Sequence, residues 1–176
     1  MTEAEPPPRL FRPRPMLEAL EAEGARYVVI GGTAAVIGGA THVTFDLDIT
    51  PDRSLANLDR VAAALRGLNA KVFGMPAEAM GAFRLDGRTL SRGSSWKLIT
   101  DHGELDIVLD PDGTRGYKDL SRGASRTEVY GMQILVASLA DVIRSKAAAD
   151  RTRDRAVLGD LRRTLELKRR REGPAS

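Results

Sequence analysis

Residues 27–50 read YVVIGGTAAVIGGATHVTFDLDIT, and the fold turns on how this stretch divides. The run RYVVIGG is β-branched and apolar up to Gly31 and Gly32, the pattern of a buried strand running into a tight turn. TAAVIGGA is then long enough for about two helical turns, ended by Gly38 and Gly39. HVTFDLDIT reads as a second strand. Side chains alternate along a strand, so Asp46 and Asp48 share one face while Phe45, Leu47 and Ile49 take the other.

Toward the C-terminus, Leu55, Leu58, Val61, Ala62, Leu65 and Leu68 recur every three or four residues after Ser54, which predicts an amphipathic helix stopped near Gly67. Residues 70–95 give only a short strand at KVF. SWKLIT and ELDIVLD are strand-like and are separated by the turn formers Asp101, His102 and Gly103, so they are expected to pair antiparallel, with His102 a turn residue. TEVYGMQILVA reads as another hairpin or an edge strand. SLAD opens a helix with Ser138 as N-cap and Asp141 three residues on, carrying Leu139, Val142, Ile143 and Lys146. A last helix follows RTRD, with Val157, Leu158, Leu161 and Leu165 on its apolar face.

Toward the N-terminus, Leu17 and Leu20 predict a short helix over residues 16–24 closed by Gly24. Pro6, Pro7, Pro8, Pro13 and Pro15 predict an extended arm over residues 1–15. The expected organisation is that arm, one α/β (α+β) domain over residues 16–167 with a mixed sheet flanked by helices, and a basic tail at 168–176.

Composition narrows the function classes. The 176 residues are 42% hydrophobic and 29% charged, with a net charge of +3, which suits one globular domain and excludes collagen, coiled coil and wholesale disorder. With no Cys and two His, thiolate zinc sites, cysteine nucleophiles and His-rich metal sites are excluded. No run has the length of a membrane span and the N-terminal stretch lacks the pattern of a signal peptide, so the expected location is the cytoplasm. Charge is unevenly placed. Residues 144–171 hold eleven basic and four acidic side chains, whereas residues 1–143 hold sixteen and nineteen. A positive C-terminal pole on an acidic body suits a polyanionic partner.

Two carboxylates side by side repel and raise each other's pKa unless a cation lies between them. An isolated D-x-D is commonly the solvent face of an edge strand, but here Asp106 is a third carboxylate embedded in an apolar strand, between Leu105 and Ile107. Hard oxygen ligands without His or Cys favour Mg²⁺ or Mn²⁺, which complete their shells with water and substrate phosphates. Gly31, Gly32 and Thr33 leave a strand and enter a helix, which lets backbone amides and a hydroxyl approach a phosphate. Trp96 reads as core, with base stacking the other role open to it.

GGTAAVIGG, TFDLDIT and GELDIV in this order resemble the nucleotidyltransferase fold of the DNA polymerase β superfamily. Together with VASLADVIRSKAAADRTRD, they look similar to small bacterial nucleotidyltransferases that include AbiEii-like and MenT-like toxins. The resemblance spans roughly residues 25–167. It implies transfer of NMP from an NTP (ATP or CTP among the candidates) to an acceptor hydroxyl with release of pyrophosphate. Gly31, Gly32 and Thr33 would contact the nucleotide phosphates and Asp46 and Asp48 would bind Mg²⁺ or Mn²⁺. Asp106 would be a third ligand or the base toward the acceptor. Lys146 would neutralise triphosphate charge and Asp154 would orient Lys146 or the nucleotide, with Asp160 a competing candidate. The implied acceptor is RNA such as a tRNA, or a protein hydroxyl, with a cognate antitoxin or toxin as partner. A small-molecule, antibiotic-modifying transferase and a silent nucleotide- or RNA-binding module are the rival readings.

Overall fold

The protein is described by a computed structural model over residues 10–173. Helix α1 (Pro13–Ala22) is the first described element, and Gly24 just beyond it has a φ of +63° that suits a residue without a side chain. Strand β1 (Tyr27–Ile30) runs directly into helix α2 (Gly31–Ile37), and strand β2 (Asp46–Pro51) returns antiparallel to β1. Helix α3 (Leu55–Gly67) and strand β3 (Lys71–Val72) follow, then the short helices α4 (Ala77–Met80) and α5 (Gly87–Arg92). Strands β4 (Ser95–Thr100) and β5 (Gly103–Val108) form the expected hairpin. Helix α6 (Tyr117–Gly123) leads to a second hairpin, β6 (Ser125–Val129) and β7 (Met132–Val136). Helices α7 (Leu139–Ala149) and α8 (Thr152–Glu172) complete the described chain.

The seven strands form one mixed sheet in the order β3-β4-β5-β2-β1-β7-β6, parallel at β2–β5 and β1–β7 and antiparallel elsewhere. Helix α3 packs against β2, α1 and α5, while α2 packs against β1, β2 and α7, and α7 against α8. The core joins Met16, Leu17 and Leu20 of α1 to Leu58, Val61 and Leu65 of α3 and to Leu47, Ile49, Leu105 and Ile107 of the two central strands. Full burial of such side chains supplies roughly 1.5–3 kcal/mol each. The Ser138 cap is as expected: its hydroxyl accepts the Asp141 amide at 3.1 Å and donates to Asp141 Oδ2 at 2.9 Å.

Four expectations need correction. Pro13 and Pro15 do not belong to an extended arm but sit in the first turn of α1, where a missing amide costs no helical bond. The Arg12 amide meanwhile donates to the His102 carbonyl at 2.8 Å, tying this end to the β4–β5 turn. The remainder of the expected arm, residues 1–9, lies outside the described residues. Strand β2 begins at Asp46 rather than His42, because β1 pairs only with Asp48–Pro51 and β5 only as far back as Asp46. Phe45 is accordingly exposed instead of sharing the face of Leu47 and Ile49. Finally, Lys168–Glu172 continue α8 instead of forming a tail.

Candidate active site

Register brings the carboxylates together. Asp48 is the direct neighbour of Asp106 across the parallel β2–β5 ladder and Asp46 is the neighbour of Glu104. All four share the sheet face opposite Leu47, Ile49, Leu105 and Ile107. One oxygen each from Asp46, Asp48 and Asp106 can be chosen so that the three lie within 4.8 Å of one another. Burial, with Asp46 and Asp106 adding repulsion, pushes the Asp48 carboxyl up to about 7, against a downward pull from Lys146 and Arg153. Burial likewise pushes Asp106 up to about 6; Lys97 opposes this, and Asp46 and Glu104 reinforce it.

The two glycines are explained by what lies over them. Gly31 has φ +63°, and a Cβ there would collide with the Asp48 carboxylate; a Cβ on Gly32 would meet Thr44 Oγ1 at 2.8 Å. Glycine is therefore needed to let the α2 start lie against β2. The Thr44 hydroxyl donates to Asp46 Oδ1 at 2.9 Å and fixes that carboxylate. Thr33 is 8% exposed, and its hydroxyl donates to the Asp46 backbone carbonyl at 2.9 Å. It thus holds β2 to α2.

A cleft of about 650 Å³ opens over the carboxylates, bounded by Gly31, Gly32, Asp106 and, from the α7–α8 elbow, Lys146, Arg153 and Asp154. Lys146 Nζ donates to Asp154 Oδ1 at 3.1 Å, both side chains being largely buried. The competing candidate Asp160 is 78% exposed and only loosely paired with Arg163. Of the three arginines near the elbow, Arg151 and Arg153 line the cleft, Arg151 pairing there with Asp112 at 3.6 Å, whereas Arg155 pairs with Asp150 at 3.0 Å outside it. Trp96 is a structural residue: its Nε1 donates to the Leu90 carbonyl at 3.0 Å and its ring lies 6.0 Å from Phe83.

The donor set fits a hard divalent cation. It is all oxygen, its members lie within reach of one ion, and Asp106 Oδ1 is buried with no hydrogen-bond partner.

No protein-family model and no curated protein matches the chain. Solved structures do. A Thermotoga maritima protein described as a nucleotidyltransferase aligns at 19% identity and a TM-score of 0.52, covering 92% of this chain and 98% of its own. The lincosamide antibiotic adenylyltransferase LnuA, solved with lincomycin bound, aligns at 17% identity and a TM-score of 0.53, covering 87% of this chain and 98% of its own. The chain has a nucleotidyltransferase fold. In that fold the acidic face lies at the centre of the sheet, where β2 and β5 run parallel.

Sequence reading missed Thr44, Glu104 and Lys97. The last two were within reach of it: counting back from the β4–β5 turn puts Lys97 directly opposite Asp106, and Lys97 pairs with Glu104 at 2.9 Å. Thr44 carries no comparable signal, since its place depends on an irregular loop.

Proposed function

We propose that the protein is a metal-dependent nucleotidyltransferase that moves NMP from an NTP to an acceptor hydroxyl and releases pyrophosphate. The observation that carries this reading is the juxtaposition of three strand carboxylates with a cationic wall in one cleft. Asp46, Asp48 and Asp106 would hold Mg²⁺ or Mn²⁺, which when bound would supply charge neutralisation at the phosphoryl oxygens and acidification of the acceptor hydroxyl. Lys146 and Arg153 hold the triphosphate, and Asp154 keeps the Lys146 ammonium in place. Gly31 and Gly32 leave room for the chain to reach Asp48. The acceptor oxygen forms its bond to the α-phosphorus as the bond to the bridging oxygen breaks; pyrophosphate leaves with that electron pair, and Asp106 takes the hydroxyl proton. Catalysis is then mainly positioning and electrostatic stabilisation.

RNA is the acceptor we favour, because α8 ends in Lys168, Arg169, Arg170 and Arg171, all exposed. A small-molecule hydroxyl is the second reading, favoured by the likeness to LnuA, nearly all of whose length aligns with this chain. Incubation with Mg²⁺ or Mn²⁺, each labelled NTP and total RNA, beside Asp46→Asn, tests the first. Label on RNA from the intact protein alone supports it. Label only on a supplied small molecule moves the acceptor class, and no transfer to any acceptor contradicts the reading.

A further inference from the structure

Carboxylates and cations account for two sides of the cleft but leave its apolar rim without a role. Val43 and Phe45 are each 74% exposed, and both line the same cleft as the carboxylates. Their outward position is built in. Thr44 is held to Asp46 by its hydroxyl, and both Thr44 Oγ1 and His42 Nε2 lie against Gly32, at 2.8 and 3.6 Å from where a Cβ would stand. His42 and Thr44 thus lie against the start of α2, while Val43 and Phe45 between and beside them stay exposed at the cleft. Phe45 directly precedes Asp46, the first residue of β2.

Lys146, Arg151 and Arg153 line the cleft along with these residues. A ligand that satisfies both the rim and this cationic wall is anionic at one end and flat and apolar at the other. Exposed aromatic rings beside a phosphate site are suited to stacking a base, with little dependence on which base it is. We propose that Phe45, backed by Val43, is the platform on which the base of the incoming nucleoside triphosphate stacks. This places base stacking at the α2–β2 loop and not at Trp96, whose ring is occupied by Leu90 and Phe83. The inference rests on the nucleotidyl-transfer reading, and the acceptor's own base is the competing occupant.

The test is equilibrium binding of non-hydrolysable NTP analogues to the full chain with Mg²⁺, with inorganic tripolyphosphate as a base-free probe. Phe45→Ala should weaken all four nucleotides by about ten- to a hundredfold, the range expected for loss of one stacked base, and leave tripolyphosphate binding unchanged. Phe45→Tyr should restore nucleotide affinity, and Phe45→Trp should show fluorescence quenching by nucleotides but not by tripolyphosphate. In turnover, Phe45→Ala should raise KM for NTP more than it lowers kcat. Unchanged nucleotide affinity in Phe45→Ala, or an effect on the acceptor's KM alone, overturns the proposal while leaving nucleotidyl transfer standing. An equal loss of tripolyphosphate binding also overturns it, since the loop would then serve the phosphates. If the wild-type protein binds no nucleotide, both readings fall together.

Discussion

Two faces of the same pair of strands behave as different materials. On one, Leu47, Ile49, Leu105 and Ile107 are fully buried in the core; on the other, Asp46, Asp48 and Asp106 crowd together with two raised carboxyl groups. The strand period of two residues lets one ladder hold the fold together while carrying mutually repelling charges a few ångströms away. Stability and chemistry are thereby separated across the sheet. Side chains on the core face should be replaceable only at a cost to folding, and those on the acidic face only at a cost to activity.

The acidic face should give the largest effect. Asp46→Asn and Asp48→Asn should each reduce nucleotidyl transfer by about a thousandfold or more while the circular dichroism spectrum stays that of the wild type. Substantial activity in both variants would remove the metal-site assignment. On the core face, Leu105→Ala should destabilise the protein by about 2–5 kcal/mol, read as a lower urea midpoint, with specific activity per folded molecule retained. A variant that folds as well as the wild type but loses activity would show that the faces are not separate.

The pH dependence of stability distinguishes the faces further. A carboxyl held at about 7 in the folded protein and near 3.8 when unfolded binds its proton more tightly in the native state. Stability contributed by this group is therefore full at low pH and falls as the pH rises from about 4 to about 7. Asp48→Asn removes the penalty, so the metal-free variant should be more stable than the wild type at pH 8 by on the order of 2 kcal/mol, a figure discounted for solvent screening on the open side. The difference should vanish near pH 4. Adding Mg²⁺ at pH 8 should raise the wild-type Tm and leave that of Asp48→Asn little changed. A wild-type protein more stable than the variant at pH 8 without metal contradicts a penalty from burial of the Asp48 charge and repulsion by its neighbours.

At Gly31 the strain is smaller and touches the site as well. Gly31→Ala places a side chain at φ +63° and against the Asp48 carboxylate, so it should cost about 1–2 kcal/mol and also lower Mg²⁺ affinity. Loss of stability without loss of metal affinity would confine the glycine to the turn. The smallest expected effect lies away from both faces. Replacing Lys168, Arg169, Arg170 and Arg171 by Gln should flatten the salt dependence of RNA binding by about 0.7 in log–log slope for each phosphate that the helix no longer neutralises. An unchanged slope would exclude the end of α8 from RNA binding.

Much of this was legible from residue pattern because it is local. The β4–β5 hairpin, the Ser138 cap and the alternation of Asp46, Leu47, Asp48 and Ile49 each follow from a few neighbouring residues. What escaped depends on partners distant in sequence. TFDLD continues its alternation through Phe45, yet β2 starts only where β1 and β5 supply partners, so the ring expected inside is outside. Pro13 reads as a helix breaker until its place at the first helical position is known. Thr33 offers a hydroxyl at the expected turn, and only the approach of β2 shows that the Asp46 carbonyl takes it. Lys146 and Asp154 are eight residues apart with the left-handed Asp150 between them, and it is the bend there that lets them meet.

Carboxylates that support attack on the α-phosphorus of a nucleotide leave a signature in where each phosphate goes. It is read by comparing NTP labelled at the α-phosphorus with NTP labelled at the γ-phosphorus, with Mg²⁺, for the intact protein and for Asp48→Asn. The expected result is α-label on the acceptor and γ-label in released pyrophosphate, both lost in the variant. Label from the γ-position on the acceptor, or transfer undiminished in Asp48→Asn, would contradict the assignment of these three residues.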